Sequence, residues 1–195
     1  RSFINGFDIY LQTIDVDGNT QLVSGGIAVA ESNGDDYIKD IIPTPDGNYL
    51  IFWVEEIWPA SRLKYNKIDQ SGNTAIGWPP SGYSLSNQSF EANNVSVKKI
   101  SDAGGVLAVW NQDGNFSDVY AQKINWDGVG QWQDFGVPVS VADNDQSAIS
   151  FDIDAGGSYA FIAWEDYRNG NDYNVLGKEI DLNSGSISSD DIYFS

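Results

Sequence analysis

Apolar and polar residues alternate with a period of two through most of this chain, in short runs punctuated by Gly, Pro, Asn and Asp. Asp8–Asp15 alternates as a half-buried strand does, and the turn formers Asp17-Gly18-Asn19 follow it, which predicts a hairpin into a strand within Gln21–Ala30. A polar loop at Glu31–Asp36 precedes a strand at Tyr37–Ile42, and the Pro-rich turn Pro43–Asn48 leads to Tyr49–Trp53. Ile57–Ser61 reads as a loop, after which Arg62–Asp69 restates Asp8–Asp15. No stretch sustains a 3.6-residue period, so helix is expected to be nearly absent.

The restatement is regular. Ile14, Ile68, Ile124 and Ile180 lie 54, 56 and 56 residues apart, Trp53, Trp110 and Trp164 lie 57 and 54 apart, and Gly26, Gly82 and Gly136 lie 56 and 54 apart. Three sets of anchors sharing one period predict tandem units of four strands, and a four-stranded unit of that length predicts an all-β fold, the β-propeller. Two β-sandwich domains are the rival, but they do not require superposable cycles. The expected organisation is a single β-propeller domain or fragment over residues 1–195, with units at 1–30 (partial), 31–86, 87–142 and 143–195. About three and a half blades are visible, fewer than the roughly four that close a propeller. The expectation is therefore a piece of a larger propeller, with the missing blades supplied by the rest of the chain or by another copy.

Composition narrows the chemistry. Zero Cys excludes disulfides and thiolate catalysis, and zero His removes the commonest general base and metal ligand. Zero Met leads to the expectation that Arg1 is a processed or truncated end. A net charge of −18 disfavours nucleic acid, and no apolar run approaches the length of a membrane-spanning helix, so neither nucleic-acid binding nor membrane insertion is expected.

The order of strand, Gly-Gly turn, strand ending in Trp-x-Asp, Asp-aliphatic-Tyr strand and Asp-Gly turn is carried by Trp164-Glu165-Asp166-Tyr167-Arg168 with Asp172-Tyr173, by Asp113 ahead of Asp118-Val119-Tyr120, and by Asp8-Ile9-Tyr10. In this order the units resemble the tandem β-propeller repeats of secreted bacterial surface proteins of Bacteroidetes type and, more distantly, sialidase-type blades. The resemblance implies an extracellular or cell-surface location and a protein or glycan partner there. Sialidase-type blades carry an Asp-box in the turn occupied here by Asp17-Gly18, Ser71-Gly72 and Asp127-Gly128, but the spacing to Trp78 and Trp132 does not fit, leaving a tight turn locked by a side chain. A sialidase also needs an arginine cluster, and Arg1, Arg62 and Arg168 are the only arginines, each ahead of an equivalent strand.

The residues weighed for ligand binding are Trp58 and Trp78, in loops beside prolines, with Tyr167 and Arg168, because exposed rings beside polar groups suit sugar faces. Trp53, Trp110 and Trp164 recur at fixed strand positions and are expected in the core. Asp35 and Asp36 in one loop and Asp143 and Asp145 in another present hard oxygen donors of the kind Ca2+ takes, although neither loop matches a twelve-residue calcium loop. Asn87-Gln88-Ser89, Asn94-Val95-Ser96 and Asn115-Phe116-Ser117 match the glycosylation pattern. The expected function is a non-catalytic binding or scaffolding module, not an enzyme. The alternatives are a lectin-like carbohydrate-binding propeller and a part of a sialidase-like glycoside hydrolase.

Overall fold

The computed structural model describes residues 6–87, 89–101 and 103–194. Arg1, Gln88 and Asp102, which belong to the arginine set, a glycosylation pattern and a turn above, lie outside the described residues. Among the described residues every helix or strand element is a strand, and the chain divides into two compact units, Arg1–Ser84 and Leu85–Ser195.

The first unit opens with β1 (Ile9–Leu11) and β2 (Ile27–Ala30), an antiparallel pair. It continues with β3 (Asp35–Pro43), β4 (Tyr49–Ile57), β5 (Ala60–Ile68) and β6 (Tyr83–Ser84), one antiparallel sheet in chain order. The second unit holds two such sheets. One is β7 (Glu91–Ser101), β8 (Gly105–Asp113), β9 (Ser117–Ile124) and β10 (Val137–Ser140); the other is β11 (Gln146–Ile153), β12 (Tyr159–Asp166), β13 (Asn174–Asp181) and β14 (Ile192–Phe194). Each is a four-stranded up-and-down blade, and the fold is all-β and of propeller type, with three complete blades and the last two strands of another.

Blades pack face to face within each unit. Ile51, Trp53 and Ile68 meet Ile9, Val29 and Ala30 in the first, and Leu107, Val109 and Val119 meet Phe151, Ile162 and Trp164 in the second. The strand patterns follow from which faces are covered. Leu50–Val54 and Val106–Trp110 are continuous apolar runs, and every residue in them is buried, as in strands covered on both sides. In β12 only Ala160, Ile162, Trp164 and Asp166 are buried, while Tyr159 and Glu165 are exposed, so that strand alternates.

The recurring glycines have a steric cause. Gly82 and Gly136 adopt φ of 69° and 83°, and a Cβ there would fall 2.6 and 2.5 Å from the indoles of Trp53 and Trp110. The Asp-Gly and Ser-Gly turns are locked by a side chain at their start: Asp15, Asp69 and Asn125 each accept the backbone N–H groups two and four residues on. Two expected loops are shorter than their sequences suggest. β4 and β5 run on to a two-residue tip at Trp58-Pro59, so Ile57–Ser61 is a tight hairpin, and β3 starts at Asp35, so Asp35 and Asp36 are strand residues. Conversely, only Ile27–Ala30 of the expected strand Gln21–Ala30 is regular.

Candidate functional site

The second strand of every blade ends in Trp-x-polar: Trp53-Val54-Glu55, Trp110-Asn111-Gln112 and Trp164-Glu165-Asp166. All three polar residues are buried, and sheet register sets Asp36 opposite Glu55, Ala92 opposite Gln112, and Gln146 opposite Asp166. Directly opposed residues share a face of the sheet with Cβ atoms about 5 Å apart. One position is thus repeated three times with three chemistries.

In the first unit this position opens on a cleft of about 120 Å3 lined by Ser32, Asp36, Trp53, Glu55, Lys64 and Ser81 among others. Asp36 is only 3% exposed. Its Oδ2 accepts the Ser32 N–H at 3.0 Å, while Oδ1 has no hydrogen-bond partner. Burial pushes its carboxyl above the ordinary value; the Ser32 bonds oppose that, the Glu55 charge adds to it, and Lys64 offsets a part. Glu55 is held by two cations, Lys64 Nζ at 3.3 Å from Oε1 and Arg62 Nη1 at 3.6 Å from Oε2. Lys64 also stands 5.6 Å from the ring centre of Trp53. Trp53 lines the same cleft, and its buried indole N–H has no acceptor. A carboxyl whose proton affinity is raised by burial, facing a carboxylate paired with two cations, is a pairing that acid–base chemistry uses.

The counterpart in the last blade is closed. The Trp164 indole donates to Asp166 Oδ2 at 2.8 Å, and Arg168 donates to both Asp166 oxygens at 2.7 Å and to Asp191. Burial pushes Asp166 upward, but the Arg168 and Trp164 hydrogen bonds and the Arg168 charge outweigh it and hold the carboxyl below its ordinary value. The Asp166 and Asp191 bonds in turn raise the Arg168 guanidinium. In the middle blade the position is neutral, and Gln112 accepts the Asn87 N–H at 3.2 Å.

The other residues singled out in the sequence are distributed as follows. Trp58 is 93% exposed at the β4–β5 tip, whereas Trp78 is half-buried, edge-on to Tyr83 at 5.3 Å and to Tyr65 at 6.1 Å, so the two do not form one platform. Tyr167 packs on Tyr173 at 4.8 Å, beside an Arg168 that is engaged with acids. Asp35 Oδ1 accepts the Phe7 N–H at 2.7 Å, and Asp145 Oδ1 accepts the Ser117 N–H at 3.0 Å. Asp143 is exposed in the loop before β11. Among the described residues no group of three or more carboxylates gathers as a metal cage. Glu55 and Lys64 are absent from the residues singled out in the sequence; the signal that finds them is the recurrence of a buried polar residue two places after each core Trp.

No family model and no curated protein matches this chain. Among solved structures it is similar to the crystal structure of an endo-arabinase from Bacteroides thetaiotaomicron, with a TM-score of 0.47, 12% identity, and coverage of 80% of this chain and 61% of that one. The chain therefore spans less than two thirds of the length of that enzyme. The expectation of a non-catalytic binding or scaffolding module is corrected at this point: the neighbour is a glycoside hydrolase, and the assignment as a non-enzyme falls with it. At this distance the likeness transfers neither a substrate nor a residue role.

Proposed function

We propose that the chain is part of a carbohydrate-hydrolysing propeller, in which Asp36 donates a proton to the glycosidic oxygen and Glu55 is its ionised partner. The observation that supports this most is Asp36, a residue lining a cleft, with its buried Oδ1 unpartnered and its position directly across the sheet from the cation-held Glu55. Glycoside hydrolysis uses two carboxyl groups whose environments separate their proton affinities, one kept neutral as an acid and one kept charged. Lys64 and Arg62 pair with Glu55, and burial raises the proton affinity of Asp36. Polysaccharides are too large to enter a cell intact, so this reading puts the site outside the cell or at its surface.

Release of reducing ends from a panel of neutral polysaccharides, arabinan among them, tests the proposal. The wild-type chain is expected to cleave at least one, with Asp36→Asn and Glu55→Gln folded and inactive. Equal cleavage by wild type and both variants would overturn it, as would no cleavage of any polymer by the wild type.

A further inference from the structure

A second cleft, in the second unit, carries a different chemistry. It measures about 330 Å3 and is lined by Asn93 and Asn94 of β7, Asp113 at the end of β8, Phe116 in the following turn, Asp145 before β11 and Tyr173 before β13, with four small or polar neighbours. That volume falls within the range of small-ligand sites. Two aromatic rings reach solvent at its edge, Tyr173 at 57% exposure and Phe116 at 40%. Tyr173 packs on Tyr167 at 4.8 Å with 33° between the rings, a contact that restrains the exposed ring.

The polar groups between the rings are held in place and only partly used. Asn93 Nδ2 donates to Asp113 Oδ2 at 2.8 Å, Asn94 Nδ2 donates to Asn111 at 3.2 Å, and Asp145 Oδ1 accepts the Ser117 N–H at 3.0 Å. Asp113 Oδ1, shielded from bulk water, has no hydrogen-bond partner. The backbone shifts register between Asn93 and Ser96, a bulge of the kind that re-aims side chains. Fixed carboxylate and amide oxygens are acceptors for hydroxyl groups, and an exposed ring accepts the C–H face of a sugar. No Lys or Arg lines the cleft, while two carboxylates do.

We propose that this cleft is a binding subsite for a neutral oligosaccharide chain. Acidic sugars are excluded by Asp113 and Asp145, whose charge has no cation in the lining to offset it. The proposal adds a holding site to the carbohydrate reading above but is independent of cleavage, because it is read by binding alone.

The experiment is a glycan array carrying neutral and uronic- or sialic-acid-containing oligosaccharides, followed by calorimetric titration of the best binder into the full chain. Neutral glycans are expected to bind, with affinity falling tenfold or more in Tyr173→Ala and Phe116→Ala and unchanged in Trp58→Ala. Both rings are exposed, and circular dichroism verifies that these variants are folded. Preference for acidic glycans, retention of affinity in both ring variants, an equal loss in Trp58→Ala, or binding of calcium chloride at the cleft with no neutral glycan bound would each overturn the proposal. If Tyr173-dependent binding holds while no polymer is cleaved, the hydrolase reading alone falls.

Discussion

Glu55 and Asp166 occupy the same place in two copies of one repeat, and their surroundings differ in what they pair and what they leave unpaired. Around Asp166 the donors are complete: an indole, a guanidinium reaching both oxygens, and a second acid to balance the cation. Around Glu55 the cations are present, but the facing residue is another acid, and the Trp53 indole and Asp36 Oδ1 are both left without partners. Opposite Asp166 stands Gln146, a neutral residue whose amide Nε2 donates to the Asn144 carbonyl at 2.7 Å and whose Oε1 has no partner. Satisfied polar networks stabilise and specify a fold, whereas buried polar groups without partners cost stability unless something else uses them. Of the three copies of the Trp-x-polar position, the last joins its indole to the polar residue, the Trp53 and Trp110 indoles both lack an acceptor, and the first alone sets a second acid across the sheet.

The largest expected effect separates the two copies by activity. Asp36→Asn or Glu55→Gln should lower turnover on a cleaved polymer by about 10^2- to 10^4-fold, the usual worth of a positioned acid or base, without loss of folded protein. Cleavage kinetics with circular dichroism on the same samples checks this. The next effect is on stability and falls on the other copy. Arg168→Ala leaves the fully buried Asp166 without its cation and should cost about 3 kcal/mol or more in denaturant unfolding. The matched Arg62→Ala, at a partly exposed pair, should cost less than about 1 kcal/mol. Similar losses in the two variants would break the comparison.

The pH dependence should also differ in sign. Asp36 has a folded-state proton affinity above its unfolded one, so its burial penalty grows as pH rises from the unfolded value through the folded value and is complete above it. Asp36→Asn should therefore raise the melting temperature at pH 7, with the gain fading at acidic pH. Asp166 is shifted downward, so its contribution is present above the ordinary carboxylate value and is lost as pH falls through the lower folded value. Melting curves of wild type, Asp36→Asn and Asp166→Asn between pH 3 and 7 check both signs. The smallest effect is expected at the hairpin tip, where Trp58→Ala should change stability by no more than about 0.5 kcal/mol, since the ring is almost fully exposed.

Blade number and strand order are legible in the chain because each blade repeats the same steric requirement. Gly82 must lie against Trp53, and Gly136 against Trp110, so the anchors keep step through loops of unequal length. The site is less legible because it depends on which residues face each other across strands. Asp35-Asp36 after Asn33-Gly34 looks like an acidic loop, and only the start of β3 at Asp35 brings Asp36 opposite Glu55. Glu55 itself sits at the end of an apolar run, where local pattern does not distinguish it from Gln112. Arg168 next to Tyr167 suggests a ligand clamp, but Asp191, distant in sequence, completes the cage that occupies it. The exposed Trp58 sits at a hairpin tip, whereas Phe116 and Tyr173, less conspicuous in the chain, line a cleft.

The most direct test of the Asp36 assignment is a carbon-detected NMR titration of the Asp36 and Asp166 side-chain carboxyls in one sample. The account predicts that Asp36 titrates above the ordinary aspartate value of about 3.9 and that Asp166 titrates below it. Asp36 titrating at or below the ordinary value would contradict the assignment of Asp36 as a proton donor.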